Sequence, residues 1–227
     1  HHYQLEGLRQ RRQTGEPISR MRGWREFWSM RFDVSPATLD PRPDSETVIA
    51  AATRWARDHQ PAARILDLGT GTGCLLLACL NELPHATGIG IDISIEAVTV
   101  ATANANRHGL GGRARFCQAD FAADLTERGQ FDLILSNPPY IPAGVVDQLD
   151  PVVRDHEPRL ALDGGLDGLD CCRLLMDGAA EALAPGGWLL LEHHHDQSDA
   201  VLALMTNAGL RDVQAAQDLE GICRFAL

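Results

Sequence analysis

The sequence predicts an α/β protein built on a doubly wound, mostly parallel seven-stranded sheet, preceded by an N-terminal hairpin or arm. Short, continuous apolar runs alternate with helix-length segments from Ile65 onward, which is typical of strands buried on both faces. The glycine-rich stretch DLGTGTG (67–73) separates the first such run from the first helix. Because the carboxyl ends of parallel strands share one edge of a sheet, we expect the functional residues there.

The sheet elements follow one another in a regular order along the chain. The predicted strands are 64–68, 87–92, 113–120, 131–137 and 188–193, with two short terminal strands near 211–218 and 222–227. The predicted helices are 73–83, 94–109, 168–187 and 196–209. Ser94 is a favoured helix-capping residue and Gly109 a favoured terminator, while the Pro-Gly-Gly stretch at 185–187 closes the third helix.

Residues 1–60 have a different pattern, and we divide the chain into this segment and a sheet domain at 61–227. The stretch WREFWSMRFDVSP (24–36) predicts a hairpin or an extended arm, and 43–59 predicts an amphipathic helix capped by Asp44 or Ser45. Arginines crowd the first 31 residues. Either a solvated linker or an arm that touches RNA accounts for them, and we favour the linker.

The bulk composition restricts the possible partners. A formal net charge of −11 disfavours nucleic acid as a bulk partner, because an acidic surface repels phosphate. No apolar run approaches the roughly 18 residues that span a bilayer, and the first residues do not form a signal peptide. The six cysteines include no C-x-x-C pair. We therefore expect a cytoplasmic protein with reduced thiols and no metal site.

The turn after the first strand has the layout of a nucleoside-binding site. Glycines let the backbone turn tightly and approach a ligand closely. The loop residues are Gly69, Thr70, Gly71, Thr72 and Gly73. Asp92 ends the second strand, where a carboxylate can accept hydrogen bonds from both hydroxyls of a ribose.

The acidic residues around this loop indicate which cofactor it binds. The spacing is G-x-G-x-G rather than G-x-G-x-x-G, and Asp67 before it would repel a phosphate but suit a cation. Asp120 and Phe121 follow the third strand, where they can bind the adenine amino group and cover the ring. S-adenosylmethionine, with a sulfonium, an ammonium and no phosphate, fits this set. Its product would be S-adenosylhomocysteine.

The fourth strand ends in Asn137-Pro138-Pro139-Tyr140. The two prolines fix their own φ angles and remove two backbone donors, so the segment cannot continue the hydrogen bonding of the strand. Its carbonyls are then free to accept hydrogen bonds from a ligand. Asn137 adds an amide and Tyr140 a flat face with a polar tip. The tetrapeptide is either a rigid turn or a grip for a planar amide or amine. Its strand neighbours the cofactor strand, which favours the grip.

DLGTGTG, Asp92, Asp120-Phe121 and NPPY together resemble class I S-adenosylmethionine-dependent methyltransferases that methylate amide or exocyclic amine nitrogen. The flanks 15–46, 155–175 and 185–201 are similar to those of the protein-glutamine N5-methyltransferases that act on peptide chain release factors. This resemblance covers nearly the whole chain from about Gly15. It implies a Rossmann-like fold and methylation of the glutamine in the Gly-Gly-Gln loop of release factors 1 and 2.

The resemblance also implies roles for residues outside these motifs. Arg42 is expected to lie over the cofactor, with Asn137 also contacting it, and Glu46 to help shape the pocket. Glu157-Pro158 either lines the substrate cleft or packs its loop, and both remain open. The family carries a helical N-terminal domain, and we expect 1–60 to be an arm, a hairpin and a helix that remain from the linker to that domain, which is missing here. EHHHDQ (192–197) replaces a more usual E-x-G-x-x-Q, and we expect a strand end there rather than a metal site.

An amide nitrogen is a poor nucleophile because its lone pair is delocalised into the carbonyl. The Asn137 Oδ1 and the Pro138 carbonyl can hold its two N–H groups, while Pro139 keeps these acceptors rigid and Tyr140 packs on the amide plane. Catalysis would then be positioning and pre-organised electrostatics, without a strong general base.

Three alternatives remain at this stage. A ribosomal-protein glutamine methyltransferase shares the motif layout, and an adenine N6-methyltransferase acting on DNA or RNA faces the same problem with an exocyclic amine. The acidic charge and the lack of an aromatic-rich basic groove disfavour nucleic acid. A cofactor-binding domain without catalysis is the third, and the intact NPPY disfavours it.

Overall fold

A computed structural model of the chain describes residues 2–121, 125–218 and 221–227. Its strands, within those residues, are β1 (Trp24–Phe27), β2 (Met30–Asp33), β3 (Arg64–Leu68), β4 (Thr87–Asp92), β5 (Ala114–Gln118), β6 (Phe131–Ser136), β7 (Leu183–Glu192), β8 (Ala215–Gln217) and β9 (Cys223–Ala226). Its helices are α1 (His2–Gln13), α2 (Ile18–Arg22), α3 (Glu46–His59), α4 (Cys74–Glu82), α5 (Ile95–Arg107), α6 (Ala143–Val146), α7 (Pro151–Arg154), α8 (Asp170–Ala182) and α9 (Ser198–Asn207).

Seven strands form one sheet in the order β5-β4-β3-β6-β7-β9-β8. The first five are parallel to one another, and β9 runs antiparallel to both β7 and β8. The chain winds from β3 outward through β4 and β5, then returns to continue on the other side with β6. This reversal opens a crevice at the carboxyl ends of β3 and β6. The predicted doubly wound, mostly parallel seven-stranded sheet is confirmed.

The core lies on both faces of the sheet, because successive side chains of a strand point to opposite faces. Ile65, Leu133 and Leu190 are buried on one face in a cluster with side chains of α3 and α4. Leu66 and Ile134, each adjacent in sequence to one of these, are buried on the other face against α8 and α9. Both neighbours in each pair must be apolar, which explains why these strands form continuous apolar runs.

The hairpin predicted at 24–36 is formed by β1 and β2, which pair antiparallel through a two-residue turn. Trp28 and Ser29 occupy that turn with φ of 51° and 55°, although neither is glycine. Such a turn matches the twist of a hairpin but is strained for residues with a side chain. The Trp28 N–H donates to Glu46 Oε1 at 2.8 Å and its indole to Glu82 Oε1 at 3.1 Å. Glu46 therefore fixes the hairpin tip.

The boundary between α8 and β7 differs from the sequence prediction, which continued the helix to 187. Leu183 already has an extended backbone and pairs with Phe131. The next pair along the ladder joins Trp188 to Leu133, so the intervening Ala-Pro-Gly-Gly forms a bulge in β7. Proline disfavours helical backbone at the residue before it, which is why the helix ends ahead of the Pro-Gly-Gly stretch rather than in it.

The N-terminal segment is more helical than predicted. Helices α1 and α2 were not predicted, because their polar sequences lack an apolar period. The hairpin and α3 contribute buried side chains to the same core cluster as β3 and β6. The division at residue 60 stays a prediction. None of the described helices is long and apolar enough to cross a membrane.

Candidate active site

A cavity of about 280 Å³ opens at the carboxyl ends of β3, β4, β5 and β6. The loops after these strands form its walls, and the segment 37–42 before α3 covers it. Most of the predicted cofactor-binding residues line it, namely Gly69, Thr70, Gly71, Thr72, Asp92, Asp120, Phe121, Asn137 and Arg42. Residues on separate strands meet here because their strand ends share one edge of the sheet.

The glycine loop and Asp92 hold each other in place. Gly69 and Gly71 have φ of 74° and 54°, a backbone region that favours glycine. The Gly71 N–H donates to Asp92 Oδ2 and the Ser94 N–H donates to Oδ1, each at 2.9 Å. Ser94 also caps α5, since its hydroxyl accepts from the Ala97 N–H, as predicted. Each Asp92 oxygen keeps lone-pair capacity for a further donor, such as a sugar hydroxyl.

Asp67 and Gly73 lie behind the cavity wall instead of lining it. Asp67 is fully buried, accepts the Thr70 hydroxyl at 2.6 Å, and burial raises its pKa to about 7. A Cβ on Gly73 would come within 3.2 Å of Ala101 and Phe116. The first residue therefore braces the loop, and the second lets α4 pack closely. Neither residue lines the cavity, and their predicted contact with the cofactor stays a prediction.

Phe121 closes the end of the cavity formed by the loop after β5. Its ring lies 3.2 Å from the position that a Cβ on Gly69 would occupy. A side chain at residue 69 would push the aromatic ring away from the loop. Gly69 is thus required both by its positive φ and by this close approach.

The NPPY loop divides the cofactor cavity from a second cavity of about 740 Å³. Pro139 lines the first cavity, Tyr140 lines the second, and Asn137 lines both. Pro138 lines neither. Leu39, Arg42 and Ala161 also line both cavities. A group held at Asn137 would therefore be reached from the cofactor on one side and from a second ligand on the other.

The backbone of the NPPY loop is fastened by the DGGLDG stretch, 163–168, a feature that the sequence did not signal. A Cβ on Gly164 would come within 2.7 Å of the Pro139 carbonyl, and one on Gly168 within 2.3 Å of the Tyr140 carbonyl. The Gln197 side chain also donates to the Tyr140 carbonyl, at 3.0 Å. These glycines are needed for close backbone approach, which positions the loop.

The histidine run separates into three environments. His193 is buried, and His194 lines the second cavity with its Nδ1 2.5 Å from Asp196 Oδ1. The His194 ring lies 6.3 Å from that of Tyr140, whose pKa is raised by burial. The His195 ring centroid lies 4.2 Å from that of His194, with the two rings tilted by 47°. Among the described residues, no group of three or more metal-binding side chains has the geometry to hold an ion.

Ion pairs to the buried carboxylates of Asp40 and Glu157 hold segment 37–42 over the cofactor cavity. Arg42 Nη2 donates to Glu157 Oε1 at 3.0 Å, and the Asp40 N–H donates to Glu157 Oε2 at 3.2 Å. Arg20 pairs with both carboxylates, at 3.2 Å from Asp40 Oδ1 and 2.5 Å from Glu157 Oε2. Glu157 lines neither cavity and holds the segment and its own loop together. Of the two roles open for Glu157-Pro158, loop packing is the one that this residue has.

Two residues beside Asn137 were not predicted to belong to the site. Ser45 was one of two residues expected to cap α3, with Asp44, but it makes no side-chain cap hydrogen bond and donates instead to Glu192 Oε2 at 2.5 Å. Asn137 Nδ2 donates to the Ser45 hydroxyl at 3.3 Å. Burial raises the Glu192 pKa to about 7. No local motif connects residues 45, 137 and 192, so only the fold brings them together.

Comparisons with known proteins agree with this geometry. A family model described as a methyltransferase domain matches residues 59–220. The release factor glutamine methyltransferase of Bradyrhizobium diazoefficiens is 47% identical over 218 residues, which cover 95% of this chain and 73% of that protein. The protein of the same name from Geobacter sulfurreducens is 43% identical over 218 residues, covering 96% and 75%.

Among solved structures, the protein-(glutamine-N5) methyltransferase (release factor-specific) from Alicyclobacillus acidocaldarius is similar to this chain with a TM-score of 0.52. The two are 28% identical, and the match covers 86% of this chain and 96% of that one. This solved structure therefore has the same described activity as the two relatives found by sequence.

Proposed function

This chain belongs to the release factor glutamine methyltransferase family, and we propose that it methylates the side-chain amide N5 of the glutamine in the Gly-Gly-Gln loop of release factors 1 and 2. The methyl donor is S-adenosylmethionine, and S-adenosylhomocysteine is the product. One observation carries the residue-level proposal: Asn137 lies on the wall between two cavities. An amide held there from the second cavity faces a methyl donor in the first.

The first cavity suits a cationic, phosphate-free cofactor. The described lining residues include the acidic Asp40, Asp92, Asp120 and Asp163 and the basic Arg42. We assign the ribose hydroxyls to Asp92, the adenine amino group to Asp120 and the ring to Phe121. When bound, the cofactor supplies a methyl group activated by a positively charged sulfur.

The chain's part in the reaction is to hold the glutamine amide. Asn137 Oδ1 accepts one of its N–H groups, and Tyr140 packs against its plane. We assign the other N–H to the carbonyl of Pro138, which directly follows Asn137 although it does not itself line either cavity. Both acceptors are rigid, because Pro138 and Pro139 fix the local backbone and the glycines of 163–168 fasten it from behind. Holding the amide by its hydrogens aims the nitrogen lone pair at the methyl group, and the extra proton leaves after the transfer.

The second cavity gives the release-factor loop its route to Asn137. It is larger than the first, and its lining combines apolar side chains with Tyr140, His194 and Asp196. A Gly-Gly-Gln segment has little side-chain bulk apart from the glutamine, so it can enter a cleft of this kind. Release factors act on ribosomes, and we propose the cytoplasm as the site of the reaction.

Mass spectrometry of a release factor incubated with this chain and S-adenosylmethionine tests the proposal. We expect one added methyl group, located by fragmentation on the Gly-Gly-Gln glutamine. A release factor with that glutamine changed to alanine is the control and gains none. Methylation of a ribosomal protein or of adenine in parallel incubations, with none on the release factor, contradicts the proposed substrate.

A further inference from the structure

We propose that Glu192 is a positioning residue for this reaction: through Ser45 it fixes the side-chain amide of Asn137 with Oδ1, rather than Nδ2, turned toward the substrate. This role rests on the proposed function, since the orientation of Oδ1 matters only when the substrate presents an N–H group. It adds two residues to the site, neither of which needs to touch the glutamine.

The fold brings the three side chains together from distant parts of the chain. Glu192 is the last residue of β7, and Asn137 directly follows β6. The preceding residues, Leu191 and Ser136, are ladder partners on these adjacent parallel strands. Ser45 approaches from the turn before α3 and hydrogen-bonds both side chains. Asn137 itself lies within hydrogen-bonding reach of the Glu192 carboxylate.

The chemistry of these groups gives the hydrogen bonds a direction. An ionised carboxylate only accepts, so the single hydroxyl proton of Ser45 must be donated to Glu192. The Ser45 oxygen then has only lone pairs left for Asn137. Those lone pairs select the NH₂ end of the Asn137 amide, and the carbonyl end points away from Ser45.

The opposite amide orientation is disfavoured on both sides. Rotating the Asn137 amide by half a turn hardly changes its shape but exchanges a donor for an acceptor. Oδ1 would then face the Ser45 oxygen and the Glu192 carboxylate. All three are acceptors, so Oδ1 would be buried there without a hydrogen-bond donor. Toward the substrate, Nδ2 would present hydrogens to the hydrogens of the glutamine amide. A single buried carboxylate therefore determines whether the site holds its substrate or repels it.

Glu192 is 4% exposed, and burial raises its pKa to about 7. The titratable or charged groups that face it, drawn from the turn before α3, α4, the loop after β6 and β9, are Asp44, Cys74, Tyr140 and Arg224. Once protonated, the carboxyl can donate as well as accept, so it no longer imposes one direction on Ser45. Methyl transfer should therefore fall as the pH decreases through this pKa.

Replacing Glu192 with glutamine keeps the shape but makes the group both a donor and an acceptor. We expect Glu192→Gln and Ser45→Ala each to lower kcat on the order of 10- to 100-fold. S-adenosylmethionine affinity, measured by calorimetry, should stay within about twofold, because the cofactor side of the wall is unchanged. Glu192→Gln should also lose the fall in kcat toward low pH.

Thr53→Val is the matched control for Ser45→Ala. Thr53 is a buried hydroxyl in α3 that donates to the Ile49 carbonyl at 2.8 Å, within its own helix. Its loss costs a buried hydrogen bond without touching Asn137, so kcat should stay within about twofold. A kcat lowered equally by both substitutions would mean that Ser45 acts through general stability, and would overturn the proposal.

A swap of the two partners is the sharpest test. Asn137→Asp presents an acceptor on both sides and faces the Glu192 carboxylate, so it should be strongly impaired. Adding Glu192→Gln supplies a donor to the new Asp and leaves its other oxygen for the substrate. We expect the double variant to be at least about tenfold faster than Asn137→Asp, although Glu192→Gln alone is harmful. A double variant no faster than Asn137→Asp overturns the proposal.

Proton NMR of the Asn137 side-chain NH₂ separates this proposal from the proposed function. The two resonances, assigned by their loss in Asn137→Asp, should shift and exchange faster with water in Glu192→Gln. This readout needs no substrate. Unchanged resonances contradict the role of Glu192 even if release factor is methylated. If the resonances shift in Glu192→Gln but the wild-type chain does not methylate release factor, only the proposed function is contradicted.

Discussion

The two sides of the NPPY wall are built in different ways. On the cofactor side, Asp92 ends a strand and is held by the backbone N–H groups of Gly71 and Ser94. On the substrate side, Asn137 is held by side chains from two distant parts of the chain, Ser45 and Glu192. In the proposed assignment, cofactor recognition therefore depends on local backbone geometry, and substrate recognition depends on contacts between distant segments.

This difference predicts that single substitutions will affect the two sides separately. A change on the cofactor side should alter the affinity for S-adenosylmethionine, and a change on the substrate side should alter kcat. Only residues on the shared wall should affect both.

The largest expected effect is that of Asn137→Ala, which removes an acceptor that holds the reacting amide. We expect kcat to fall on the order of 10³-fold. The dissociation constant for S-adenosylmethionine, measured by calorimetry, should change by less than about threefold, because the loop after β3 is intact. Loss of cofactor binding in this variant would show that the two sides are not separable.

The next effect concerns stability. Glu192 has a folded pKa of about 7, above its ordinary value of 4.5. A raised carboxyl pKa means that its contribution to the free energy of unfolding is fully present below pH 4.5 and is lost as the pH rises to about 7. Glutamine carries no charge at any pH and avoids this loss. From the difference between the two pKa values, Glu192→Gln should increase the free energy of unfolding by up to about 3 kcal/mol at pH 8.

The same substitution should have little effect on stability at pH 4, where both side chains are neutral. Urea unfolding at pH 4 and pH 8 measures the difference. Thr53→Val serves again as control, because the loss of unfolding free energy that it causes should not depend on pH. Equal stability of Glu192→Gln and wild type at pH 8 would mean that burial does not destabilise the ionised carboxylate.

Asp92→Ala should weaken cofactor binding by a smaller free energy. It removes the assigned ribose acceptor and the partner of the Gly71 N–H. We expect the dissociation constant to rise roughly 10- to 100-fold, equivalent to about 1.4–2.8 kcal/mol. At saturating cofactor, kcat should stay within about threefold. Calorimetry and steady-state kinetics on the same preparation check both values, and an unchanged affinity rules out the ribose assignment.

The smallest effect is expected for Arg42→Ala, on the wall that both cavities share. The Arg42 side chain is 33% exposed and its ion pair with Glu157 is correspondingly screened. We expect a rise of about two- to fivefold in both the cofactor dissociation constant and the KM for release factor. An effect on only one of the two constants would show that Arg42 serves a single cavity.

The sequence identified the parts of the site that are continuous in the chain. The glycine loop, Asp92, Asp120-Phe121 and NPPY each have a local signature, and all of them border one of the two cavities except for Gly73 and Pro138. Asp67 and Gly73 lie behind the cavity wall, and such burial leaves no trace in the residue spacing. Their contact with the cofactor stays a prediction. Both are required by packing within the loop.

The parts that the sequence did not reveal depend on contacts between distant segments. Ser45 precedes a helix and was taken for its cap, although the approach of Glu192 offers its hydroxyl a charged acceptor instead. Glu157 has partners more than a hundred positions away in the chain. The end of α8 was misplaced for a local reason, since the effect of a proline on the preceding residue outweighed the apolar helical pattern.

The buried carboxylate at the end of β7 also bears on how this enzyme would respond to selection. A screen for heat resistance alone rewards the loss of an ionised group from the interior, and neutral substitutions at Glu192 should be recovered early. Such mutants would unfold at a higher temperature and would have a lower kcat. A carboxylate retained at this position would thus indicate that turnover, rather than thermal endurance, has governed the history of the protein.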